Sequence, residues 1–144
     1  FGPDPAPLYL QTLKEEGRNP DDFKIVQLRL VYLAESEDQA WADCQEHLFH
    51  TLDFYRDIVV DANDAQGDDE FMPITKPEQI RHAQSNDLIM VGTVDQVAEK
   101  MEKFAKEYTC TDLCVYSQFP GMDIRKVNRS MELFANHIMP AFRD

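Results

Sequence analysis

Basic residues are scarce in this chain: 14 Lys and Arg stand against 27 Asp and Glu, a formal net charge of −13 over 144 residues. So acidic a surface repels phosphate backbones, and no basic stripe overrides it, which excludes nucleic acid and anionic membrane surfaces as partners. Long apolar runs are absent too; none approaches the ~18 residues that a membrane span needs. Cys44, Cys110 and Cys114 are too few, and odd in number, for a disulfide framework, so a reducing, cytoplasmic compartment is expected. With 5 glycines and no suitably clustered pair there is no phosphate-cradling loop. What the chain does have is 43% apolar residues, which excludes disorder as the state of the whole. Its length suits one domain or part of a larger one.

The apolar pattern alternates between helix and strand periods. Leu8 to Glu16 reads as a short helix entered through prolines and stopped by Gly17 and Pro20. Ile25 to Leu33 is a nearly continuous run of strand formers, as in a parallel strand buried on both faces; Gln27 and Arg29 share one parity. Ser36 with Gln39 offers a capping box for a long helix whose stripe is Trp41, Cys44, Leu48, Leu52 and Tyr55. Residues 61–75 collapse into an acidic, lid-like loop. Lys76-Pro77-Glu78 restarts a short helix, and Leu88 to Val91 is a brief apolar stretch ending at Gly92. Thr93 and Gln96 cap the next helix, with Val97, Met101, Phe104 and Tyr108 on its stripe. Asp112 to Ser117 is a second buried strand, and Asp123 caps a last helix facing inward through Ile124, Val127, Met131, Phe134 and Ile138. Alternating strands and helices imply an α/β fold with a parallel sheet. Two strands alone are poorly stable, so the chain is expected to be part of a larger fold.

Several stretches carry a family resemblance together. Arg29-Leu30-Val31-Tyr32-Leu33-Ala34-Glu35-Ser36, then Val91-Gly92-Thr93-Val94-Asp95-Gln96-Val97-Ala98, then Asp112 to Ser117 with the Phe119-Pro120-Gly121 turn, and finally Ser130 to Phe142 resemble, in order and spacing, the late part of luciferase-like flavin monooxygenases. Val94 stands where that family usually has Pro, a mild change in a first helical turn. The resemblance implies a partial TIM (β/α)8 barrel, contributing about its last two strands. It also implies reduced FMN as cofactor, with F420 in wider relatives, and a small-molecule substrate oxidised with O₂. Most of the family's flavin contacts lie in earlier strands. The acidic loop stands at the place of that family's mobile lid, and between Asp57 and Thr75 it has no basic residue, so the resemblance argues against an anionic substrate such as a sulfonate unless Arg81 or Lys76 reaches inward.

Barrel sites sit at the carboxyl ends of strands. The candidate residues for cofactor or substrate contact are therefore Tyr116, Ser117, Gln118 and Phe119 after one strand and Glu35 after the other. Arg29 joins them because a charge on a buried strand needs a partner. No catalytic residue is singled out, and no metal is expected. Cys44, His47 and His50 diverge by about 120° between the outer pair around a helix. The Asp61-Ala62-Asn63 start of a calcium-like loop fails at Ala65, Gln66 and Met72. Cys110 and Cys114 lack the two-residue spacing of a redox pair. A rival expectation is a non-catalytic α/β domain that self-associates through exposed strand edges, and on either reading a homo-oligomer is expected.

Overall fold

The computed structural model describes residues 4–61, 75–82 and 88–142. Helix α1 (Ala6–Glu15) and a 3-10 turn at Pro20–Asp22 lead into strand β1 (Val26–Leu33), followed by the long helix α2 (Glu37–Asp61) and the short α3 (Pro77–Ile80). Strand β2 (Ile89–Gly92), helix α4 (Val94–Glu107), strand β3 (Asp112–Tyr116) and helix α5 (Ile124–Leu133) complete the core. A π-helical turn at Phe134–Ile138 and a 3-10 turn at Met139–Phe142 follow. Apart from its two end residues, the acidic stretch 61–75 lies outside the described residues.

The three strands among the described residues are parallel, in the order β2-β1-β3. Two of these strands are expected from the apolar pattern; the other is the four-residue run at Ile89–Gly92, fully buried. So short an apolar run has no readable period, which is why it could not be assigned from sequence. β1 is the hub: Leu30–Leu33 pair with Ile89–Gly92 on one edge, and Val26–Leu30 pair with Asp112–Tyr116 on the other. Three strands do not by themselves close a barrel.

The strand order dictates where the helices lie. The chain crosses from β1 to β2 in one direction and from β2 back past β1 to β3 in the other. Right-handed crossovers therefore place α2 and α4 on opposite faces. Leu30, Tyr32 and Ala34 pack with Trp41, Cys44 and Leu48 of α2, with Ile80 of α3 and with Phe119. Val31, Leu33 and Met90 pack with Val97, Met101 and Phe104 of α4 and with Leu133 and Ile138. Double burial holds only for the upper half of β1, since Val26 and Leu28 are 61% and 48% exposed.

The caps follow the sequence closely. Thr93 Oγ1 accepts from the Gln96 amide at 3.4 Å, and Gln96 Oε1 accepts from the Thr93 amide at 2.9 Å, a complete capping box. Gly92 makes room for it: with φ at +154°, a Cβ there would come within 2.6 Å of Gln96 Oε1. At α2 only half of the expected box forms, because Ser36 Oγ accepts from the Gln39 amide while the Gln39 side chain turns to Asp43.

Two helical stripes differ from their expected phase. Beyond Leu48 and Thr51, helix α2 runs past the sheet, leaving Tyr55 exposed. In the last helix the buried residues are Val127, Ser130, Leu133 and Ile138, while Ile124 and Met131 are exposed. The π-helical turn inserts a residue between Leu133 and Ile138 and lets both face inward, which a fixed 3.6-residue period does not anticipate.

Candidate functional site

The end of β1 and the end of β3 lead to opposite faces of the sheet: one chain segment enters α2, the other enters α5. Such a reversal opens a crevice at the carboxyl ends of the strands, where open α/β sheets bind ligands. Here the crevice is a cleft of about 660 Å³ lined by Tyr32, Glu35, Ser36 and Asp43 on one side and by Lys126 and Arg129 on the other. Asp123 and Arg125 extend its rim.

A buried carboxylate organises this cleft. The Asp43 side chain is 7% exposed and accepts from Lys126 Nζ at 2.5 Å, Gln39 Nε2 at 3.0 Å and Tyr32 Oη at 3.4 Å. Burial, followed by the Asp43 charge, pushes the Tyr32 phenol well above its ordinary range and keeps it a neutral donor. Across the mouth, Arg129 donates through Nε and Nη2 to Glu35 Oε1 at 2.9 and 2.7 Å, and this pairing lowers the Glu35 carboxyl. Arg125 pairs with Asp123, the N-cap of its own helix, through Nη2 at 2.7 Å. Three cations thus face three carboxylates, and the cleft is close to neutral.

Helix α5 is tied to the sheet from beneath. The backbone N–H groups of Leu30 and Ala34 bond toward β2, so that of Leu33 points to the other edge, beyond the last residue of β3. There it donates to Ser130 Oγ at 2.8 Å, and Ser130 is 1% exposed. A side-chain hydroxyl from a helix replaces the strand that is no longer present. From α2, His47 Nδ1 lies 2.9 Å from the Pro120 carbonyl, a contact that requires an Nδ1–H. Gly121, at φ +86°, supplies the left-handed turn that this loop needs.

The six residues singled out from sequence are not brought together. Glu35 lines the cleft. Tyr116 and Phe119 meet each other edge to face at 5.6 Å within the α2-side core, and Phe119 is fully buried. Ser117 is half-buried and Gln118 exposed at the strand end. Arg29 lies on the other face, 8% exposed, with its guanidinium 4.0 Å from the Phe104 ring centroid and its Nη1 donating to the Leu28 carbonyl. Its packing is a stacked cation on α4, outside the cleft. Tyr32, Asp43, Lys126 and Arg129 escaped sequence reasoning. The available signal was the cluster of three cations within the first turns of α5, in a chain otherwise poor in them. Cys44 is core filler, and burial pushes its thiol up to about 12.

The Asp123 carboxyl, held by the Arg125 side chain and then by the Arg125 amide, falls from 3.8 to about 2. A depressed carboxylate stabilises the fold above its unfolded value, and that contribution is lost as pH falls through the folded value. The difference in thermal midpoint between wild type and Asp123→Asn is therefore expected to be constant from neutral pH to about 4 and to close between 3.8 and about 2. A difference that persists undiminished at the acid end contradicts the Arg125 pairing.

Residues 5–109 match the family described as luciferase-like monooxygenase. No curated protein matches the sequence. Among solved structures, the chain superposes on the crystal structure of monooxygenase RslO1 from Streptomyces bottropensis with a TM-score of 0.73 and 18% identity. That match covers 94% of this chain and 36% of the other, so the present chain spans about a third of that protein's length. Identity at this level speaks for the fold alone. None of the described helices is long and apolar enough to cross a membrane.

Proposed function

Because the chain belongs to the luciferase-like monooxygenase family, we propose that it forms the C-terminal portion of an enzyme that uses reduced FMN and O₂ to oxidise a small, uncharged organic molecule. The family match over residues 5–109 carries the reaction class. The position of the cleft at the carboxyl end of β1, between the starts of α2 and α5, supports the location.

The cleft side chains fit the uncharged, hydrogen-bonding part of a flavin or substrate. They do not fit a flavin phosphate, because each of the three cations already faces a carboxylate. An anionic substrate is disfavoured for the same reason, in line with the absence of basic residues between Asp57 and Thr75. When bound, reduced FMN supplies the electrons that activate O₂. The chain's own residues orient and exclude water: Ser36 and Gln118 offer hydrogen bonds at the two strand ends, while Phe119 and Tyr116 back the β3 loop with a dry core. Only one wall of a cavity is supplied, so this chain by itself is expected not to turn over.

A fluorescence titration with FMN and, separately, with F420 tests the reading. Saturable quenching of FMN is the expected result, together with no carboxylic acid product when the chain is mixed with reduced FMN, O₂ and a long-chain aldehyde. Binding of F420 in place of FMN overturns the cofactor assignment. Turnover overturns the single-wall account.

A further inference from the structure

The connection from β3 to α5 turns on a single peptide unit. Phe119-Pro120-Gly121-Met122 is a β-turn closed by the Met122 amide, which bonds the Phe119 carbonyl at 3.2 Å. Proline fixes a negative φ at the second position and Gly121 has φ +86° at the third, so the turn is type II. Proline suits the second position of a type I turn equally well, and glycine also accepts the negative φ that type I asks of the third. The two forms keep the same closing bond and differ by a flip of the peptide between Pro120 and Gly121. The local sequence permits both, and a contact from outside the turn can choose between them.

We propose that His47 makes this choice and is a positioning residue for the carboxyl end of β3. Its Nδ1–H, 2.9 Å from the Pro120 carbonyl oxygen, finds that oxygen only in the type II form. After a flip the Gly121 N–H turns toward the ring instead, donor against donor. The ring also lies close against Gly121. A Cβ there would come within 3.1 Å of Nδ1 and 3.3 Å of Cε1, so glycine is needed twice, for its φ and for the room it leaves. His47 stands four residues after Asp43 on the same face of α2. Asp43 holds Lys126 and His47 holds Pro120, so one helix face grips the β3–α5 connection on either side of Asp123, the N-cap of α5. A trans peptide points its N–H opposite to its C=O, and the locked turn therefore aims the Gly121 N–H away from α2. The exposed loop thereby offers a hydrogen-bond donor, where the flipped form offers the Pro120 carbonyl, an acceptor. Resting on the flavin reading above, this favours an acceptor group of the ligand, such as a carbonyl oxygen, at the β3 end.

NMR of the intact chain tests the lock without any ligand. The nuclear Overhauser effect between Pro120 Hα and the Gly121 amide proton is intense in a type II turn and weak in a type I turn. It is expected to be intense in the wild type and to weaken in His47→Ala, while the Met122 amide stays protected because both forms keep its bond. His47→Asn, which carries an N–H at the place of Nδ1, is expected to restore it; His47→Gln, one bond longer, is not. Loss of one such hydrogen bond is also expected to weaken FMN binding, read by fluorescence, by about three- to tenfold in His47→Ala, with recovery in His47→Asn. An Overhauser effect equally intense in His47→Ala overturns the lock, as does a weak one in the wild type. A flipped turn with unchanged FMN affinity overturns the positioning role. Absence of FMN binding by the wild type counts against FMN as the cofactor, and the Overhauser effect still decides the lock.

Discussion

Replacing Phe119 with alanine is expected to lower stability by about 3–5 kcal/mol, the range for emptying a buried aromatic site. The ring is fully buried and meets Tyr116 at 5.6 Å within the cluster formed by Trp41, Cys44 and Leu48. Nothing nearby can fill the space, because the loop above is fixed. His47 holds the Pro120 carbonyl, and the Met122 amide bonds back to the Phe119 carbonyl at 3.2 Å. Against a total stability of about 5–15 kcal/mol, the loss removes a large share of the whole. Urea unfolding measures it. Phe119→Leu, which keeps most of the volume, is expected to cost under about 1.5 kcal/mol. Gln118→Ala, one residue earlier and exposed, is expected to stay within about 0.5 kcal/mol. If Phe119→Ala leaves the urea midpoint unchanged, the ring is not part of the core and the β3 loop is packed in some other way.

Ser130→Ala is the second large effect. The substitution removes one oxygen atom and leaves the Leu33 amide, in a fully buried part of β1, without an acceptor. An unsatisfied buried donor costs about 1–3 kcal/mol, more than the net worth of the hydrogen bond itself. The effect has a local signature. Hydrogen exchange at the Leu33 amide should accelerate more than at Val31, two residues away in the middle of the sheet. Ser130→Thr keeps the hydroxyl and is expected to restore protection. Unchanged exchange at Leu33 in Ser130→Ala rules out the side-chain hydroxyl as its acceptor. The same change loosens α5, which carries Lys126 and Arg129 into the cleft.

Local rules made much of this architecture legible before any coordinates. Thr93 with Gln96 announces a helix start because both partners of the capping box lie within one turn. Asp123 does the same for α5, its side chain accepting from the Arg125 amide at 2.9 Å. The core of β1 is visible as an unbroken apolar run. Three features were not legible, each for a physical reason. Four residues, Ile89–Gly92, are too few to show a period, so a strand passed for an apolar stretch. The π-helical turn at Phe134–Ile138 lets Leu133 and Ile138 both face inward, a phase that a fixed 3.6-residue stripe through Ile124 and Met131 does not contain, and those two residues are exposed. The cleft unites residues far apart in the chain. Asp43 meets Lys126 and Glu35 meets Arg129 only because the β2-β1-β3 order sets the start of α2 against the start of α5. Pairwise contacts of that span leave no mark on a single sequence. Arg29 shows the converse: its burial was foreseeable, but its partner proved to be the Phe104 ring on the face away from the cleft.

The neutral balance of the cleft shapes what it can recognise. Lys126 belongs to a buried carboxylate and is not available for exchange without leaving Asp43 unpaired, a costly state for a side chain 7% exposed. Arg129 and Glu35 are both more than half exposed, and solvent screening leaves so exposed a pair little net worth. The cleft thus has one rigid polar anchor and one pair that a ligand can open, an arrangement suited to hydrogen bonding with an uncharged group.

The most direct test of a flavin-facing wall at these strand ends is a ¹⁵N-resolved NMR titration of the chain with FMN. The account predicts saturable shifts confined to Glu35–Gln39, Ser117–Gln118 and Asp123–Arg129, with the amides of α1 and the Val26–Leu28 half of β1 unmoved. Shifts centred on α1 or on the lower half of β1, or no shift at any attainable FMN concentration, would contradict it.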